Sequence, residues 1–136
     1  MSVGYEILKY LENKGIGTEG TDLFIGFEPD SPKNCITFYD EAAINITESA
    51  CLKVDLFGVQ VLVRNENYHT CEDKIKTIHK KIVGFGGRPL IAGGDVISYI
   101  TVETSPFSSG KDDEGNNKWT AHYYVRTESK NDDFRL

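Results

Sequence analysis

No stretch of this 136-residue sequence approaches the run of about 20 apolar residues that a membrane-spanning helix requires. The first residues, Met1-Ser2-Val3-Gly4-Tyr5-Glu6, have neither the basic nor the apolar segment of a secretory signal, so folding in a cytoplasm is expected. Without such a signal the Asn45-Ile46-Thr47 sequon carries no weight. Cysteine is scarce: Cys35, Cys51 and Cys71 form no Cys-x-x-Cys pair, and structural zinc centres are usually built from such close pairs. Three reduced thiols packed as small apolar groups are expected instead. Histidine is equally sparse. His69, His79 and His122 show neither HxxxH nor HExxH spacing and read as surface or edge residues, not ligands. Positive charge is in deficit, with 15 Lys and Arg against 21 Asp and Glu, a net charge of −6 and a pI near 5.0. Duplex binding depends on neutralising phosphates, so this balance argues against a nucleic-acid binder. Lys74, Lys76, Lys80 and Lys81 do cluster, but within a predicted helix, where they read as a solvated face complementing its dipole.

What the sequence does contain is enough apolar residue, 39%, for one modest core, and the length fits one domain over residues 1–136. Val3, Ile7, Leu8 and Leu11 recur at helical spacing until Gly15 and Gly17 stop the pattern. Two short strands follow at Leu23–Phe27 and Asn34–Tyr39. Between them Pro29 and Pro32 supply no amide donors and bias Glu28 and Ser31 toward extended backbone. No period survives through Glu41–Asp55, which reads as a long loop. Phe57, Val59, Val61 and Val63 then alternate as a strand. The second helix is the clearest element: Cys71, Ile75, Ile78 and Ile82 make one stripe, Asn67 or Thr70 serves as N-cap, and Gly84 follows its end. A strand from Asp95 to Thr104 and a partner at Lys118–Thr127 complete the pattern, with Trp119, Ala121, Tyr123 and Val125 on one face. The segment between them reads as a long hairpin tip, and Ser108–Asn117 together with Glu41–Asp55 is expected to be poorly ordered in an isolated subunit. The tail 128–136 is polar and expected to fray. The predicted order, α-β-β-β-α-β-β, describes an α+β domain with two helices packed on a mixed or antiparallel sheet.

Possible chemical sites dissolve one by one. Gly84–Pro89 is rich in glycine but follows a helix instead of feeding one, and lacks the GK[ST] ending of a phosphate loop. Asp112–Asn117 lacks the alternation and distal Glu of a calcium loop. Ser105, Ser108 and Ser109 have no nucleophile-elbow context. No catalytic, metal-binding or cofactor-binding residue is predicted, and no enzyme.

Three stretches carry a family resemblance. In "GIGTEGTDLFIGFEPDSPKNCITFYD" the bearing residues are Phe24-Ile25-Gly26, Pro29, Pro32, Ile36 and Tyr39-Asp40. In "GVQVLVRNENYHTCEDKIKTIHKKIVGF" they are Val59-Gln60-Val61, Val63-Arg64, Tyr68, Lys74-Ile75 and Ile78. The third stretch is "ISYITVETSPFSSGKDDEGNNKWTAHYYV". In this order they resemble the small phage tail terminators, also known as minor capsid or tail-completion proteins, across about residues 3–128. Departures are Cys71 where alanine is frequent, Lys33 where an acid is preferred, and Glu41–Asp55, which aligns with nothing.

The resemblance implies a structural virion protein without cofactors, assembled in the host cytoplasm. It implies a hexameric ring of this chain on the last ring of the tail tube, which ends tube polymerisation and offers a surface to a head connector or stopper protein. DNA would pass through the ring without specific binding, and no membrane is involved. On this view the exposed loops grip neighbours, with Phe107 as an apolar anchor and Lys111, Asp112, Asp113, Glu114, Glu41 and Glu48 as polar partners. Two other readings stand beside it: a different head–tail connector or a tail-tube protein, and a small ligand-binding or enzymatic α+β protein using His79, His122 and the glycine loop.

Overall fold

The computed structural model describes residues 2–42 and 54–128, with side chains from residue 56 onward in the second stretch. Helix α1 (Val3–Asn13) begins where Ser2 holds extended backbone and its hydroxyl accepts the Tyr5 amide, an N-cap. All four residues of its predicted stripe, Val3, Ile7, Leu8 and Leu11, are buried. After Lys14 the chain reverses through Gly15 at φ 80°, a left-handed conformation that glycine adopts without a Cβ penalty. The following turn is tied back to the helix: Lys9 Nζ lies 2.7 Å from Glu19 and 3.1 Å from Glu12, and the Tyr5 hydroxyl donates to Glu19 at 2.8 Å. Hydrogen bonds from the Glu19 amide to Glu12, and from Lys9 to Glu19, hold both carboxyls below their ordinary range.

Helix α2 (Tyr68–Ile82) is capped by Asn67, whose side chain accepts the Thr70 amide at 3.0 Å, which decides between the two predicted caps. Cys71, Ile75, Ile78 and Ile82 are buried, so the predicted stripe is the core-facing one. Each such aliphatic side chain withdrawn from water contributes about 1.5–3 kcal/mol.

Six strands form one mixed sheet: β1 (Leu23–Ile25), β2 (Cys35–Glu41), β3 (Val54–Asn65), β4 (Arg88–Pro89), β5 (Val96–Lys111) and β6 (Asn117–Glu128). Their spatial order is β1-β2-β3-β6-β5-β4; β1 runs parallel to β2 and every other pair is antiparallel. The registers Ile36↔Val63↔Trp119, Phe38↔Val61↔Ala121 and Val59↔Tyr123 set one continuous apolar face. Both helices lie on that face, α1 over β1 and β2, α2 over β3, β6 and β5. The predicted α+β class and helix–sheet arrangement match, with the short β4 added.

Inside this layer Tyr123 is fully buried, and its hydroxyl meets His79 Nδ1 at 2.8 Å. Burial pushes the Tyr123 phenol up and the His79 imidazole down, so both stay neutral at ordinary pH. His79, expected at the surface, is a half-buried polar partner for the core. Asp40 also has a place no turn pattern indicated: its Oδ1 accepts the Gly4 amide at 2.8 Å at the start of α1, where a carboxylate is favoured. A side chain at Gly4 would collide with that carboxylate.

Two expectations about irregular segments need correction. The first loop is shorter than Glu41–Asp55, because Glu41 still pairs with Gly58 and β3 already begins at Val54. Residues 43–53, which include Glu48 and Cys51, lie outside the described residues. The second correction concerns the hairpin. β5 runs to Lys111, so Ser105–Lys111 is strand, and only Asp112–Asn116 turns. Serine, proline and glycine there suggested a tip. Of four register shifts along β5, each adding a residue, the two between Thr104 and Phe107 and between Ser108 and Gly110 absorb those poor strand formers while β6 stays regular. The hairpin is also no projecting arm, since β6 pairs with β3 from Asn117 to Glu128.

Candidate functional site

The face of the sheet opposite the helices carries no helix among the described residues, and the β1–β2 connection folds over one end of it. Arg64 on β3 anchors that fold. Its guanidinium donates to the carbonyls of Pro29, Pro32 (2.7 Å) and Lys33 (3.0 Å), and lies 3.6 Å from Glu28. Glu28 in turn holds Lys118 at 3.1 Å. Arg64 is 7% exposed, and a planar fork of five donors suits a nest of carbonyls as no other side chain would. Pro29 and Pro32 come from the first resembling stretch and Arg64 from the second, so the two motifs meet in space. The turn-rich segment between β1 and β2 is therefore a strap over an arginine. Sequence reading named Arg64 only as a residue of the second motif and gave it no role; the signal was an arginine directly after the alternating run Phe57, Val59, Val61 and Val63.

Beyond this strap, β5 presents the larger open surface. Gly84, Phe85 and Gly87 bond to the backbone of Ile97 and Ile100, and β4 pairs only at Val96 and Ile97. Among the described residues no strand pairs with that outer edge from Thr101 to Lys111. Phe107 lies on this edge strand at 42% exposure, the anchor position expected from sequence. Lys111, Asp113 and Glu114 are exposed beside it. Asp112 has a different task. Its carboxylate accepts the amides of Glu114 (2.9 Å) and Asn116 (2.8 Å) and the Asn116 side chain (3.1 Å). The backbone hydrogen bond from Asn116, chief among these, lowers its pKa, so Asp112 shapes the turn that displays its neighbours. The structure thus gathers Phe107, Lys111, Asp113 and Glu114 near one end of the sheet. Glu41 does not join them: it ends β2 near the other end, with Oε1 2.9 Å from His122 Nδ1.

Other sequence candidates fall into structural places. The amides of Gly84 and Gly87 are engaged with β5, so the glycine segment is a docked connection rather than a phosphate cradle. A Cβ at Gly86 would strike the Ser98 carbonyl, and one at Gly94 would strike Glu6. Ser109 Oγ contacts the Thr120 hydroxyl and the Lys118 carbonyl, while Ser105 and Ser108 are exposed. Cys35 and Cys71 are buried free thiols. Burial raises both, Cys71 to about 11, which suppresses the reactive thiolate. His69 stacks edge-on against Tyr68. Among the described residues no helix is long and apolar enough to cross a membrane.

Comparison with known proteins fits this surface-dominated picture. A family model described as "Bacteriophage tail terminator protein" matches residues 10–129. A chain in a structure described as "Virion of native gene transfer agent (GTA) particle" shares the fold, with a TM-score of 0.66 over 94% of this chain and 96% of that one, at 10% identity. Two curated proteins named "DNA primase", from Rickettsia felis and Rickettsia conorii, are 33% identical over 130 residues, which is 91% of this chain and 21% of each of theirs. The chain spans about a fifth of the length of those relatives.

Proposed function

This chain belongs to the bacteriophage tail terminator family, and from that premise we propose that it forms a hexameric ring which caps the tail tube, ends its polymerisation and presents the surface on which the head connector docks. The family is one of structural tail proteins, which makes the chain a component of the virion tail. The observation that carries the finer reading is the match across residues 10–129, which takes in both strand–strap motifs and the β5–β6 hairpin. What supports ring formation is the division of surfaces. The helices occupy one sheet face, and among the described residues no strand pairs with the outer edge of β5 from Thr101 to Lys111. An edge of that length is either blunted or used. Pro106 and the register shifts blunt it against indefinite strand addition, while exposed Phe107 gives a neighbour something specific to grip. Head-to-tail contact between two different patches closes into a ring when the rotation between neighbours divides a full turn. The net charge of −6 suits a ring lumen through which DNA slides without lasting phosphate contacts. No bond chemistry is involved; recognition is by shape and polar complementarity.

The experiment that tests this is removal of the chain from the particle that encodes it. Without it, tails of uncontrolled length that fail to join heads are expected, and supplying the chain in trans restores both length and joining. Tails of normal length, joined to heads in its absence, contradict the proposal.

A further inference from the structure

Three strands bring together side chains that lie far apart in sequence: Glu41 from β2, Glu103 from β5 and His122 from β6. Their donor atoms all lie within 4.8 Å of one another on the open face of the sheet. Each position follows from register. His122 stands opposite Gln60 of β3, and Glu41 stands two residues further along on the same face, opposite Gly58. Gly58 has no side chain to separate them, and a Cβ there would press on the Glu41 backbone and the Ala42 carbonyl at 3.1–3.3 Å. The Glu41 carboxylate crosses that gap to reach His122 Nδ1 at 2.9 Å. Glu103 arrives by a bulge: β5 shifts register between Val102↔Tyr123 and Thr104↔His122, which places an extra residue beside the histidine. Bulges re-aim side chains in this way.

We propose that Glu41, Glu103 and His122 bind one divalent transition-metal ion of the zinc class, leaving a further coordination position open. The donor set is right for it, since imidazole with carboxylates suits zinc and its neighbours in the series. The Glu41–His122 spacing agrees as well, with the Glu103 oxygen within 4.8 Å of both. Two donors each about 2.0–2.2 Å from one ion stand roughly 3.0–3.4 Å apart at right-angled to tetrahedral geometry, close to the Glu41–His122 separation. Glu41 shares His122 as its partner, and among the described residues no lysine or arginine forms an ion pair with Glu41 or Glu103. The register neighbours on that face, Tyr39, Gln60, Thr104 and Tyr124, are uncharged, and Arg126, further along β6 on the same face, lies over the Tyr99 ring. Sequence spacing hid this set and gave the expectation of no metal, because its members are contributed by non-adjacent positions of a sheet.

The test uses the full chain, washed with chelator and titrated with zinc chloride by calorimetry, with cobalt(II) as an absorbance probe. One ion per chain is expected for the unaltered protein, and at least a tenfold loss of affinity in both Glu103→Gln and His122→Ala. Glu103 is exposed on a bulge, so Glu103→Gln folds normally and keeps the comparison valid. Absence of stoichiometric binding, or binding unchanged in both variants, overturns the proposal.

Discussion

Replacing Asp112–Asn116 by a two-residue Asn-Gly turn, together with Phe107→Ser, is expected to yield a folded subunit that no longer controls tail length. Lys111 and Asn117 are register partners, so a tight turn can close directly between them and leave β6 on β3. The exchange removes Asp113, Glu114 and the apolar anchor, all exposed, and the turn held by Asp112. The fold should survive the exchange, because the hydrogen bonds lost with Asp112 and the buried Asn116 lie within the turn that is replaced. Function should change almost completely, because a few central side chains usually carry most of an interface's energy. The readout is electron microscopy of particles complemented with the variant. Overlong tails, or tails unattached to heads, are expected; tails of normal length on heads would show that this end of the sheet makes no contact that matters.

Arg64→Ala should be the most destabilising single substitution outside the aliphatic core. It leaves the carbonyls of Pro29, Pro32 and Lys33 without their donor and separates Glu28 from one of its two cations. Breaking a buried charged network from one side costs about 3–5 kcal/mol, against a total of about 5–15 kcal/mol for a domain of this kind. Arg64→Lys should recover little, since an ammonium cannot donate in several fixed directions at once. Urea denaturation is the check, with the loss appearing in the midpoint and not in the slope. A loss below about 1 kcal/mol would mean that the strap is held by something other than Arg64.

How far the fold was legible differs from element to element, for physical reasons. Both helices were readable because a helix signals locally: a stripe such as Cys71, Ile75, Ile78 and Ile82, and a cap such as Asn67, fall within one short window. β3 and β6 were readable through alternation, as one face is buried under helices. β5 was readable only to Thr104. Past that point bulges break the two-residue period, and serine, proline and glycine mimic a loop while the strand is carried by its partner. The site was harder. Phe107, Lys111, Asp113 and Glu114 stood out as charge and an aromatic in a polar stretch, but Arg64 under its strap and His122 beside Glu41 and Glu103 depend on pairings that no local window contains. His79 looked like a surface residue because its partner, Tyr123, is distant in sequence and adjacent only across the packed layer.

The central claim, that this chain is the cap on a tail tube, is tested most directly at the tube end itself. Purified chain is added to the tail-tube protein of the same particle during polymerisation, and the products are imaged by electron microscopy. The account predicts tubes that stop growing, each with a ring of this chain at one end only, and a mean length that falls as the ratio of chain to tube protein rises. Tubes of unchanged length with bare ends, or the chain incorporated along their whole length, would contradict it.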